Sequence, residues 1–384
     1  MSKRAILIVL DSVGIGALPD APAYGDGGAH TLAHVWQACG GLKLPYLLGL
    51  GLGNIPGSGL PAADAPRGAY GRCQERAQGK DTTTGHWEIC GLALDTPFPT
   101  YPGGFPPAVI EAFEQAAGVT GVLGNRAASG TQIIEELGQE QLRTGLPIVY
   151  TSADSVFQIA AHEEQTGLET LYRWCEAARA VMQGPHAVGR IIARPFLGKG
   201  PGSFRRTANR RDYSLPPTGA TLLDRLAAAG IPVYGVGKIH DIFCGRGIGK
   251  SVHTADNREG IVATLAAMAE QDGGLIFTNL VDFDMKYGHR NDAAGYGRAL
   301  EEADAGIGAI LAGMGREDLL LVCADHGCDP THPGTDHTRE YVPLLLAGAG
   351  VTPGGLGTRS TYADIGATAA RWLGVRPVAG TSCL

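Results

Sequence analysis

The chain has 384 residues, of which 44% are hydrophobic, enough for two or three domains with a full core. No apolar run approaches the roughly 18 residues that cross a bilayer, and the start, MSKRAILIVLDS, ends its apolar run at Asp11 rather than at the small residues of a signal-peptide cleavage site. A net charge of -7 without a basic run argues against a general nucleic-acid binder, and eight scattered cysteines without a CxxC pair suit reduced thiols in a cytoplasmic protein.

Along the chain, β-branched apolar runs alternate with helical patterns. Ala5–Leu10 (AILIVL) reads as a buried strand that ends at Asp11. GLGLGN at residues 49 to 54 is a weak phosphate-loop signal and is set aside. GKDTTTGHWE, residues 79 to 88, is unusual: three threonines stand before GHWEI, which reads as a helix start. TPFPTYPGGFPP (residues 96 to 107) and RRDYSLPPTG (residues 210 to 219) mark boundaries. Between them lie predicted helices at Ala108–Ala117 and Leu171–Met182 and strands at Ile148–Tyr150 and Arg190–Arg194. Residues 99–214 are therefore expected to be an inserted α+β domain in a discontinuous core of 1–98 and 215–384.

Beyond it come helices at Thr221–Ala229, Ile261–Gln271, Gly297–Met314 and Tyr362–Leu373. Strands are expected at Val233–Val236, Leu275–Val281, Leu319–Cys323 and Tyr341–Ala347, the last at an edge or bulge because of Pro343. GRGIGKS, residues 245 to 251, has Cys244 where a nucleotide loop needs glycine, and no clear strand feeds it. Alternating strands and helices predict an α/β core, a mainly parallel sheet with helices on both faces.

Three of the strands end in acidic residues: Asp11 after the first, Asp282 and Asp284 followed by His289 after the second, and Asp325 with His326 after the third. THPGTDHTRE adds His332, Asp336 and His337. Singly, an Asp after a strand is a turn or cap residue and a lone His a satisfied polar group. Together, at the carboxyl ends of strands that form the ligand crevice of an α/β sheet, they point to metal. Six carboxylates and imidazoles exceed what one catalytic ion with open positions requires, and suit two ions roughly 3.5–4 Å apart. Oxygen and nitrogen donors without thiolate fit manganese or zinc better than calcium. Cys323 and Cys328 flank Asp325 and His326, but Cys323 lies in an apolar strand and reads as an inert thiol.

A threonine hydroxyl is a poor nucleophile at neutral pH unless a divalent cation favours its alkoxide. On local sequence alone, Thr82–Thr84 would simply cap the helix. Beside a metal pair, Thr82 becomes the candidate nucleophile, with the helix N-terminus able to receive a phosphate.

VLDSVGIGALPD, GKDTTTGHWEI, ASGTQIIEELGQE, YTSADSVFQIAAHEE, NLVDFDMKYGHR, ADHGCDPTHPGTDHTREYVPLL and TYADIGAT together resemble bacterial phosphopentomutases of the alkaline phosphatase superfamily, from near Leu10 to near Thr381. The resemblance implies an alkaline phosphatase-like core with an inserted cap domain and two manganese ions, with zinc or another divalent ion as substitutes. Asp11, Asp325 and His326 match the ligands of one ion; Asp284, His289 and His337 match those of the other. Thr82 matches the phosphorylated residue, and Ser152, Asp154, Arg190, Arg206 and Lys238 match sugar-phosphate contacts. Implied with them are a pentose phosphate as small-molecule partner, a pentose or hexose bisphosphate as activator, and a cap that excludes water. No nucleic acid, membrane or obligate protein partner is expected. The main alternative is a phosphatase or phosphodiesterase with the same metal core. A sulfatase is disfavoured because Cys90 leads into Gly91, Leu92 and Ala93 rather than the C-x-P-x-R such enzymes mature. A cofactor-independent glycerate mutase would be expected to use serine.

Overall fold

In the computed structural model, which describes residues 2–152 and 154–384, the first part of the chain gives β1 (Arg4–Leu10) and β2 (Ala69–Cys73). The middle gives β3 (Leu123–Ala127), β4 (Ile148–Thr151), β5 (Val156–His162), β6 (Arg190–Leu197), β7 (Arg205–Arg206) and β8 (Arg211–Ser214). The last part gives β9 (Val233–Val236), β10 (Lys250–Val252), β11 (Gly274–Leu280), β12 (Asp318–Cys323), β13 (Val342–Ala347) and β14 (Gly354–Arg359). Two compact units result, Met1–Pro97 with Pro216–Leu384, and Phe98–Leu215.

The first unit is built on an eight-stranded sheet of order β10-β9-β11-β1-β12-β13-β2-β14. It is mostly parallel; only the pairs that β13 makes with β12 and β2 are antiparallel. Every residue of β11, β12 and β13 is buried, as expected where both faces of a sheet are covered. The helix Ala363–Leu373 packs on β1, β11 and β12, together with the helices Thr82–Ile89 and Leu222–Ala228. The helix Asn257–Glu270 packs on β9 and β11 and against Ala293–Gly313. These last two helices begin four residues before their apolar periodicity does. Asp256 and Asp292 cap them by accepting the backbone N–H groups of Glu259 and Gly295, so the cap sets the start and the burial pattern follows later.

The strand with Pro343 is interior and its pairing shows no register shift, contrary to the edge or bulge expected for it. β12 ends at Cys323, opposite Leu344, so Pro343 lies beyond that ladder and has a strand neighbour on one side only, where it pairs with Arg72. A proline is easier to place where one neighbouring strand, rather than two, could use its N–H.

The second unit has a mixed sheet, β3-β4-β5-β6-β7 with β8 also on β6. One apolar cluster gathers Phe105, Phe113, Phe157 and Trp174; another gathers Ile133, Ile134, Tyr150 and Phe196. The second depends on the helix Gly130–Thr144, which the sequence reading did not single out. No helix among the described residues is long and apolar enough to cross a membrane.

Register in the first sheet places the site. β1 lies between β11 and β12, parallel to both, with Leu10 opposite Leu280 and Val9 opposite Cys323. All three strands therefore release their next residues at the same edge.

Candidate metal centre

Asp11 follows β1 directly, and its carboxylate is fully buried. Its Oδ2 accepts from Asn279 Nδ2 at 2.8 Å, while Oδ1 faces His326 Nε2 at 3.5 Å. Ser12, at φ 71, turns the chain so that its N–H donates to Asp325 Oδ1 at 3.0 Å. Asp325 Oδ2 lies 3.4 Å from His326 Nε2 and 3.2 Å from His86 Nδ1. One ligand atom from each of Asp11, Asp325 and His326 falls within 4.8 Å of the others.

After β11 the chain makes a π-helical turn, Phe283–Tyr287, and then a 3-10 turn, Gly288–Arg290. π-turns are rare and concentrate at functional sites. This one separates two candidates that sequence could not. Asp282 accepts the N–H of Asn257 at 3.0 Å and pairs with Lys286 at 3.1 Å. Asp284 instead faces His289 Nε2 at 3.3 Å and His337 Nε2 at 3.2 Å through one oxygen. Asp284, His326 and His337 also lie within 4.8 Å of one another, so His326 stands between the two sets, its ring stacked on His337 at 3.9 Å.

The loop that carries His337 is tied down on both sides. Glu340 accepts from Thr31 Oγ1 and Thr338 Oγ1, both at 2.6 Å, and from the N–H of Gly16 at 3.0 Å. Arg339 is buried and donates to Glu75 at 2.7 Å and to the carbonyls of Ala77 and Gly79. His332 and Asp336, neighbours in sequence, stay out of the cluster: His332 contacts the Pro333 carbonyl, and Asp336 pairs with Lys80 at 3.4 Å.

Thr82 reaches the same place from another element. The helix Thr82–Ile89 is capped by Asp81, whose side chain accepts from the N–H of Thr83 and Thr84, while Thr84 Oγ1 accepts the N–H of Asp81 in return. The cap is thus Asp81, and Thr82 is the first helical residue, its hydroxyl left over from capping. Thr82 Oγ1 lies 3.2 Å from His326 Nε2. Glu88, at the far end of the helix, is buried and accepts the N–H groups of Ala77 and Tyr362, which locks the helix in place.

The donors suit cations. Among the described residues, Asp11 Oδ1, Asp325 Oδ2, Asp284 Oδ1 and His337 Nε2 are buried atoms that lie 3.2–3.5 Å from ionisable neighbours yet make no well-aligned hydrogen bond. Orphaned buried carboxylate oxygens are costly, and four orphans converging on one space match a place for metal ions. Burial, with the charges of Asp325 and Asp284, pushes Asp11 up to about 7. Burial opposes ionisation of Asp284, yet His337 and His289 hold its pKa well below the carboxylate range. Burial likewise opposes a charge on His337, but Asp284 and Asp336 raise its pKa to about 9.

A pH effect follows for the metal-free protein. A group whose native pKa is raised binds more protons folded than unfolded, so its contribution to stability falls as pH rises between the two values. For His337 that window runs from its ordinary 6.5 to about 9, and for Asp11 from 3.8 to about 7. A bound cation takes the place of those protons and removes the loss. Chelation is therefore expected to lower the melting temperature more at pH 8.5 than at pH 6, measured by scanning fluorimetry. Equal drops at both pH values would contradict this account of the cluster.

Ser152, Asp154 and Arg190 line one hollow of about 280 Å³ in the second unit, with Gln158, Arg194 and Arg210. Arg190 lies 3.8 Å from both Asp154 and Asp212. Arg206 lines a neighbouring hollow of about 360 Å³ that shares Arg194 and Arg210. Lys238 belongs to the first unit, where its charge partly offsets the upward push on Asp11. Sequence reading missed Arg194 and Arg210, and also His86 and Asn279 at the carboxylate cluster; Cys328, which it weighed as a flanking thiol without giving it a role, lies there too. Cys328 lies within 4.8 Å of ligand atoms of Asp284 and His289, with its thiol pKa pushed up by burial. His86, Asn279 and Cys328 are revealed by their burial against the cluster, and Arg194 and Arg210 by the hollows they line; Cys323 is a buried thiol inside β12.

Fold and site together define a metalloenzyme, and the family model described as the Metalloenzyme superfamily matches residues 3–377. A phosphopentomutase of Anaeromyxobacter dehalogenans is 56% identical over 100% of this chain and 99% of its own length, and one of Caldanaerobacter subterraneus is 59% identical over 100% and 98%. The chain belongs to the phosphopentomutase family of that superfamily. Among solved structures, the PH0037 protein of Pyrococcus horikoshii (16% identity, TM-score 0.51, 97% of each chain) and the phosphoglycerate mutase of Leishmania mexicana (11%, TM-score 0.51, 99% and 97%) share the fold.

Proposed function

We propose that the protein interconverts α-D-ribose 1-phosphate, or its 2-deoxy form, and the corresponding 5-phosphate through a phosphorylated Thr82 and a 1,5-bisphosphate. The observation that carries this reading is the Thr82 hydroxyl, unused in capping and 3.2 Å from His326 Nε2 at a helix N-terminus. Asp11, Asp325 and His326 are proposed to hold one divalent ion, and Asp284, His289 and His337 another. When bound, these ions, manganese by preference, neutralise charge on the transferred phosphoryl group and favour the alkoxide of Thr82.

Phosphorylated Thr82 gives its phosphoryl group to O5 of the sugar 1-phosphate: the bond from phosphorus to Thr82 Oγ1 breaks, one to O5 forms, and the O5 proton is released. The bisphosphate reverses its orientation. Thr82 Oγ1 then attacks the phosphorus of the C1 phosphate: the bond from that phosphorus to O1 breaks, O1 takes up a proton, and the phosphoenzyme is restored as the sugar 5-phosphate leaves. Arg190 and Arg206 suit the phosphate, Ser152 and Asp154 the sugar hydroxyls, and Lys238 a phosphate oxygen. Unphosphorylated enzyme would need priming by a pentose or hexose bisphosphate. We place the reaction in the cytoplasm, without a nucleic-acid, membrane or obligate protein partner.

The test is intact-protein mass spectrometry after incubation with a pentose 1,5-bisphosphate. One added phosphoryl group is expected, on the peptide that contains Thr82. Stoichiometric release of free phosphate from ribose 1-phosphate, with no 5-phosphate formed, would instead make the protein a phosphatase.

A further inference from the structure

β9 and β10 run parallel at one edge of the first unit's sheet, with Val252 opposite Val236. The chain leaves both strands at the same end, and the N–H of Gly237 donates to the Val252 carbonyl at 2.9 Å. After β9 comes the short helical turn Ile239–Ile242, which carries His240 and Asp241. The residue after β10 is His253. Strand pairing thus brings together three side chains that are thirteen residues apart in sequence at most.

The geometry is that of a carboxylate between two imidazoles. His240 Nδ1 lies 3.7 Å from Asp241 Oδ1, and His253 Nδ1 lies 3.7 Å from Asp241 Oδ2. One ligand atom from each of the three falls within 4.8 Å of the others. At 3.7 Å neither contact is a hydrogen bond. It is a few tenths of an ångström wider than the roughly 3.3 Å that separates two nitrogens bound at about 2.0 Å to a tetrahedral ion. A second observation fixes the donor. Gly245, at φ +73, approaches His240 so closely that a Cβ there would sit 2.8 Å from Nε2. Any side chain at 245 would run into Nε2, and Nδ1 is the ring nitrogen that lies beside the carboxylate. The side chains are 45%, 57% and 67% exposed, for His240, Asp241 and His253 in that order. An ion can enter from solvent, and the last few tenths of an ångström close by small rotations.

We propose that His240, Asp241 and His253 form a further, exchangeable site for a divalent ion of the imidazole-preferring class, such as zinc, nickel or copper, separate from the cluster at the end of β1. Two neutral imidazoles and one carboxylate favour these ions over magnesium or calcium, which take oxygen donors. Cys244, on the same loop, directs its thiol to the Asp241 carbonyl at 3.8 Å and is not one of the ligands. The bound ion ties the exit of β10 to the turn that begins beside Lys238. The proposal does not depend on the reaction assigned above.

The experiment is calorimetric titration of full-length protein, kept in saturating manganese, with nickel ion, while manganese released to the filtrate is measured. Nickel should bind at one equivalent without displacing manganese. In His253→Ala and in Asp241→Asn that binding should weaken at least about tenfold, the smallest loss typical when a metal site's support is removed, with mutase turnover and manganese content unchanged. Cys244→Ser should bind as the parent does. The proposal is overturned if nickel binds His253→Ala and Asp241→Asn as tightly as the parent, if the parent binds none, or if Cys244→Ser alone loses the site.

Discussion

Thr82→Ala should be folded, load its metal normally, and show turnover lower by roughly four to six orders of magnitude, the range seen when a covalent nucleophile is removed. The structure separates the two roles of this residue. Asp81 supplies the capping oxygen, and Thr84 completes the reciprocal bond, so losing the Thr82 hydroxyl leaves the helix start intact. Its cost to stability should stay below the roughly 1 kcal/mol of a lost cap. None of the clustered carboxylates relies on Thr82: Asp11 is held by Asn279, and Asp325 by Ser12. Metal content by atomic absorption should therefore match the parent, and the variant should take up no phosphoryl group from a bisphosphate. Retention of more than a few per cent of parental turnover would refute covalent catalysis at this position.

Asp284→Ala should have the next largest effect, and of another kind. One carboxylate oxygen faces both His289 and His337, so its removal strips the carboxylate from the half of the cluster proposed to hold the second ion. Metal affinity there should fall by well over tenfold, since even outer partners of a ligand are worth ten to a hundredfold. The raised pKa of His337 should also drop, because Asp284 is its main support against burial. A signal of one histidine moving toward its ordinary value, followed by NMR, reports this without any assay of turnover. Asp282→Ala is the matched control. It should destabilise the protein, because Asp282 accepts the first N–H of the helix Asn257–Glu270, yet leave metal content alone. If the two variants exchange these behaviours, the ligand is Asp282.

Much of the first unit was legible because β1, β11 and β12 are buried on both faces and so read as unbroken apolar runs. β2 (AYGRC) and β14 (GGLGTR) were not, because glycine and arginine dilute the β pattern in strands that lie toward one edge. The interior position of Pro343 was misjudged, since sequence cannot say where a neighbouring strand stops. At the site, acidic residues after strands stood out at once. Choosing between Asp282 and Asp284 required the π-turn, a register no spacing rule encodes. His86 and Asn279 were invisible for a similar reason: their partners are 239 and 268 residues away, Asp325 and Asp11 respectively.

The ladder that joins β1 to β11 and β12 amounts to a ruler. Because side chains alternate faces along a strand, one residue inserted into Arg4–Leu10 would turn Asp11 to the opposite side and about 3.3 Å further on, out of phase with its two neighbours. Length changes in the surface connections carry no such penalty. Natural or engineered relatives should thus tolerate insertions in surface connections that carry no residue of the cluster, while the residue count of these three strands stays invariant.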